Sequence, residues 1–238
     1  MSPQDFNPTA PSVPVVDAAA AGRVAPFLRA VYGWMFIGLG ITAVTAFVVA
    51  SSPAMVTTIA TNRVLFWALI IAQLGLVVVL SARVQKLSPA VASLLFLLYS
   101  GLTGVTFAFI LLAYTGQSVA QVFVVSAGMF GGLALFGTVT KRDLTGLGQF
   151  AMMGLFGVVI ATIVGLFWHN DSFQIVLSIC GVVAFTALTV WDANRLRAMA
   201  LALPEGGGGS YAILGALRLY LDFINLFLFL LRLFGRRR

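Results

Sequence analysis

Charge is scarce in this chain. Of its 238 residues only 9% are Asp, Glu, Lys or Arg, while 61% are hydrophobic and the mean hydropathy is +1.05; ordinary soluble domains carry about 25% charged residues. A core of this size cannot hide so much apolar surface from water, so a soluble globular domain is excluded and the bilayer must be the solvent. Cysteine is nearly absent. The single Cys180 lies in an apolar stretch and cannot form an internal disulfide, which leaves it a small packing residue without a redox role. His169 stands alone in a short connection, where an interfacial side chain is expected rather than a ligand. Acidic residues number 7 against 14 basic ones, giving a net charge of +7 and a pI of about 10.3. In a soluble chain that balance would suggest nucleic acid. In a membrane chain it is what basic loops produce, and no nucleic-acid partner is expected.

What the sequence does hold is a series of long apolar runs. They fall at about 30–51, 64–82, 89–113, 119–139, 146–168, 173–196 and 211–232. At ~1.5 Å per residue each is long enough to cross ~30 Å of hydrocarbon as a helix. The expectation is an all-α integral membrane protein, a bundle of seven transmembrane helices over residues 25–238. Residues 1–24 contain four of the eight prolines and no apolar periodicity, and are expected to form a disordered cytoplasmic tail. The first run is too long for the core of a signal peptide, and no exported soluble domain follows it.

Lys and Arg in the connections set the orientation. Arg23, Arg29, Arg83, Lys86, Lys141, Arg142, Arg195 and Arg197 share one side if the runs alternate, against Arg63 in the opposite connections. The N-terminus is therefore expected in the cytoplasm, and the chain is expected in the bacterial inner (plasma) membrane. Arg232 and Arg236–Arg238 then fall outside if the last run crosses fully; a re-entrant last segment would bring them back. The length of that run favours a full crossing. Small residues at Gly128 and Gly132, and at Gly154 and Gly157, are expected to let helix backbones approach closely.

Two acids interrupt the greasy runs, Asp192 in "TVWDANRL" and Asp222 in "LRLYLDFINLF". An aspartate at the bilayer centre costs about 2.5–3.5 kcal/mol on insertion scales, so each should face the bundle interior and find a partner. The sixth helix should run on to Pro204. Asp192 then lies eleven residues before Leu203 and Asp222 eleven after Tyr211, each roughly 16 Å from the same turn. Two carboxylates at one depth in low dielectric cannot both ionise cheaply, so they would share a proton and titrate as a unit. Deprotonated, they offer hard oxygens to a divalent cation such as calcium. The alternative is local pairing, with Arg195 three residues after Asp192 and Arg218 four before Asp222.

The stretches "LRLYLDFINLFLFLLRLFG", "TVWDANRL" and "TKRDLTGLGQFAMMGLFGVVIA" resemble the Bax inhibitor-1 family of transmembrane proteins, the similarity running from about Ala25 to Gly235. The resemblance implies a prokaryotic member with its seventh helix near the centre of the bundle. It also implies a pH-sensitive calcium leak in which Asp192 and Asp222 act as sensor and ion site, and an arginine latch that Arg83 matches best. Two departures stand out: Gln73 replaces a common glutamate, and Arg218 replaces a small polar residue beside Asp222. Calcium ions, protons and the bilayer are the expected partners, with no cofactor and no catalytic role. An aspartyl protease would need a Gly-x-Gly-Asp context that Asp222 lacks, a retinal protein a lysine in the last span, and many transporters an internal repeat that is not evident here. The other functional reading is a membrane regulatory protein that modulates a membrane protease or stress and cell-death machinery without conducting ions.

Overall fold

The computed structural model describes residues 18–168, 170–204 and 208–238. Residues 1–17, most of the expected tail, and His169 lie outside the described residues. Within them the chain forms α1 (Ala18–Ala50), α2 (Pro53–Thr61), α3 (Arg63–Arg83), α4 (Pro89–Ala113), α5 (Gly116–Val139), α6 (Thr145–Phe167), α7 (Asp171–Ala202) and α8 (Gly209–Phe234). Seven of these helices are long and apolar enough to span a bilayer, each over one of the expected runs. The eighth, α2, is a nine-residue helix that the search for long runs passes over. The first helix begins at Ala18, inside the segment assigned to the tail, because its alanine-rich start is compatible with helix.

Local chemistry marks the helix starts. Ser52 before Pro53 and Ser88 before Pro89 cap α2 and α4 by accepting from the amides of Met55 and Val91, with proline where no amide is needed. Asn62 and Asn170 cap α3 and α7 in the same way. Ahead of α6, Asp143 Oδ1 accepts from the amide and hydroxyl of Thr145 at 2.9 and 2.6 Å. Those two bonds hold the exposed Asp143 carboxyl below its usual range.

The last span occupies the middle. Of the α8 window 78% is buried inside the bundle, against 6% for the peripheral α3, and α1, α4, α5 and α7 all pack on α8. Its aromatic side chains meet rings on three of those walls: Tyr220 stands edge-on to Phe96 and Tyr99 of α4, Phe223 to Phe130 of α5, and Phe229 stacks on Phe185 of α7.

Close helix approach depends on other glycines than those expected. Gly128 and Gly132 have no neighbour within 4 Å of a Cβ position, nor has Gly157, and Gly154 meets only Ala184 at 3.4 Å. The spacing of small residues does not say which face finds a partner. A Cβ on Gly137 would meet the carbonyl oxygen of Val190, so α5 and α7 touch backbone to backbone there. Gly137→Ala should therefore lower the melting temperature in detergent, with an overpacking cost of about 1–3 kcal/mol. Gly128→Ala, which meets nothing, should leave it unchanged or raise it through helix propensity. Equal effects of the two would refute the contact.

The chain alternates between two ends of the bundle. At one end Ser210 Oγ donates to Leu87 O at 2.8 Å, tying the start of α8 to the α3–α4 connection. At the other, Thr115 N donates to Arg236 O at 3.0 Å and Arg238 N to Ala113 O at 3.1 Å, forming a short bridge with the α4–α5 connection. Arg236 N also donates to Ser118 Oγ at 2.9 Å. The last helix thus runs the full length of the bundle rather than turning back. A reporter fused after Arg238 should be active only on the side opposite the N-terminus; activity on the same side would refute the crossing.

Candidate functional site: a buried pair of carboxyls

The extension of α7 to Ala202 and the central course of α8 bring Asp192 and Asp222 together. Both are buried, at 8% and 5% exposure. Their carboxyls are near enough for the charge of each to act on the other. Asp222 Oδ2 is nevertheless buried without a hydrogen-bond partner among the described residues, a polar atom of the kind that native interiors rarely leave unpaired.

The arginines distribute differently from the local scheme. Arg218 lies one turn before Asp222 on α8, yet its Nη1 reaches across to Asp192 Oδ1 at 3.8 Å. Arg195 stacks instead over the Trp191 ring, 5.3 Å from its centroid. It lines a hollow of about 730 Å³ at the Leu87 end, with Trp191, Asn194, Asp143 and Gln149. Asn194 Nδ2 and Arg197 Nη1 donate to Gly137 O and Thr140 O at 3.1 and 3.2 Å, fixing this part of α7 to the end of α5. Arg83 is exposed at the end of α3, a helix that packs mainly on α4. The structure therefore brings Arg218, and not Arg83, to Asp192. Gln73 donates to Leu102 O at 3.3 Å, so it links α3 to α4 rather than joining the acids.

One polar element was not foreseen. Two residues before Asp222, Tyr220 is fully buried with its hydroxyl 2.6 Å from Thr42 Oγ1. Thr42 Oγ1 in turn lies 2.9 Å from Ser100 O and 3.0 Å from Gly38 O. Thr42 has one hydroxyl proton, so Tyr220 donates to Thr42 and Thr42 to a carbonyl. This chain joins α8, α1 and α4 beside the acid pair. The buried hydroxyls themselves were the available signal, but nothing in their spacing named the partner.

A seven-span helical bundle enclosing a carboxyl pair defines a polytopic membrane protein with an ionisable centre. Comparison with known proteins places it further. The family described as "Inhibitor of apoptosis-promoting Bax1" matches residues 24–238, and the chain belongs to this Bax inhibitor-1 family. The inner membrane protein YbhL of Escherichia coli K12 is 47% identical over 215 residues, covering 89% of this chain and 92% of the relative. An uncharacterised protein of Borreliella burgdorferi is 42% identical over 214 residues, with coverage of 89% and 92%. One from Caulobacter vibrioides is 35% identical over 250 residues, covering 98% and 99%.

Proposed function

We propose that this protein is a pH-sensitive leak for cations, calcium among them, in the bacterial inner membrane, governed by the Asp192–Asp222 pair and without catalytic chemistry. The observation that carries the reading is two adjacent carboxyls buried at the centre of the bundle with Arg218 against one of them. Among the groups in contact one guanidinium, Arg218, balances one carboxylate; Arg195 also acts on Asp192 but is exposed, where solvent screens it. With a single proton on the pair the cluster is neutral and suits a dry interior; without it a net negative charge remains, which is costly there unless water or a cation joins it. The proton count thus sets whether the centre attracts cations.

Calcium takes six to eight oxygens in a tight site. Among the described residues no cluster of three or more His, Cys, Asp or Glu is assembled. Two carboxylates with water suit an ion in transit better than one held. The hollow bounded by Arg195 and Asn194 opens at the Leu87 end of α7, one turn beyond Asp192 along the same helix. The excess of basic residues at that end supports a cytoplasmic orientation for it, and the printed name of the Escherichia coli relative supports the inner membrane.

The test is calcium flux into liposomes containing only this protein, measured across pH. Flux above that of protein-free liposomes, varying with pH, is expected. No flux at any pH from correctly inserted protein would overturn conduction in favour of a regulatory role toward a membrane protease or stress machinery.

A further inference from the structure

Helices α1 and α5 both pack on α8 but hardly on each other. Between them opens a cavity of about 540 Å³, lined by Tyr32, Phe36 and Ala43 of α1, Phe123 and Gly131 of α5, and Phe223 of α8 as its floor. Phe36 is 70% exposed, so the fissure faces what surrounds the bundle. From Tyr32 to Ala43 it follows eleven residues of α1, roughly 17 Å at ~1.5 Å per residue. That is about half of the ~30 Å hydrocarbon thickness, the depth of one leaflet.

The polar end of this fissure is basic on both walls. Along α1 the lining stripe of 32, 36, 40 and 43 continues back by one turn to Arg29, which is exposed. Along α5 the stripe of 123, 127, 131 and 134 runs out toward exposed Lys141 and Arg142, just past the helix end. Both groups lie at the Leu87 end, where the first helix and the α5–α6 connection meet the membrane surface. An apolar slot one leaflet deep, with cations at its mouth, matches a lipid with an anionic headgroup.

We infer that the α1–α5 fissure is a binding site for an anionic phospholipid of the leaflet at the Leu87 end. One acyl chain lies along Tyr32, Phe36 and Gly131 and rests on Phe223, and the phosphate group is held by Arg29 and Lys141. Each basic residue near a membrane surface strengthens the attraction to anionic lipid severalfold, so the pair should give a preference of roughly tenfold or more.

Native mass spectrometry of the detergent-solubilised full chain, titrated with phosphatidylglycerol or phosphatidylcholine of identical chains, tests this. Wild type should retain phosphatidylglycerol about tenfold more readily, and the Arg29→Gln/Lys141→Gln variant should lose that preference. Gly131→Leu, which fills the slot, should reduce retention of both lipids. Equal retention of the two lipids by wild type, or unchanged retention in Gly131→Leu, would overturn the site. A measurement on wild type alone guards against misfolded variants. Phosphatidylglycerol carrying a photoreactive acyl chain should label residues of 32–43 and 123–135, and labelling confined to other helices would overturn it. A dimer closed across this fissure would do the same.

Discussion

Replacing Asp192 and Asp222 with asparagine is expected to weaken the pH dependence of calcium flux in each single variant and to remove it in the double, by far less than the summed effect. The reason is geometric. The carboxyls are buried beside each other at one depth, so in low dielectric the charge of either depends on the other. Asparagine keeps the shape and some hydrogen bonding while removing the titrating group. The two single variants are not equivalent. Asp222→Asn leaves Asp192 on Arg218 at 3.8 Å, a carboxyl that still titrates but no longer against a neighbouring acid. Asp192→Asn removes that partner and leaves Arg218 one turn from Asp222, which it can engage instead. Contacting groups in such a network commonly couple by 0.5–3 kcal/mol, a factor of about two to more than a hundred in flux. A double-mutant cycle on flux against pH in liposomes, with insertion verified for every variant, measures the coupling. Additive effects would show that each aspartate acts alone and would sink the shared-proton scheme.

Much of this site is legible in the sequence alone. Hydrocarbon thickness fixes the length of a spanning helix, so seven apolar runs become seven spans, and the distance of each aspartate from one turn places both at a common depth. Pairing across helices was harder to read. The i,i+4 rule puts Arg218 beside Asp222, and that neighbourhood is real, but a long guanidinium at the same depth as Asp192 can cross to α7. Periodicity along one helix carries no information about a second helix's azimuth. The glycines show the same limit: Gly128 and Gly132 have the right spacing yet face outward, while Gly137 has no motif and meets Val190. Likewise Ser52 and Pro53 announce a helix start, but nine residues are too few to register in a search for spans. Sequence reports depth well because depth is a sum along one chain. It reports contacts between helices poorly because those depend on rotation.

That distinction bears directly on which arginine restrains the bundle. Arg218→Gln is expected to raise calcium flux, by up to about tenfold if the link favours the closed arrangement by ~1.4 kcal/mol. Two effects act in the same direction. Losing the ion pair frees α8 from α7 at the acid pair, and losing the guanidinium removes a positive charge that repels an approaching cation. Arg218→Lys keeps the charge on a flexible stem without the planar fork, so it should restore the electrostatic part and leave flux between the other two. Arg83→Gln should leave flux unchanged, since Arg83 is exposed at the end of α3 and that helix packs mainly on α4. Flux assays on the three variants, matched for insertion, separate the alternatives. Raised flux in Arg83→Gln with none in Arg218→Gln would return the latch to α3 and reduce the Arg218–Asp192 contact to local charge balance.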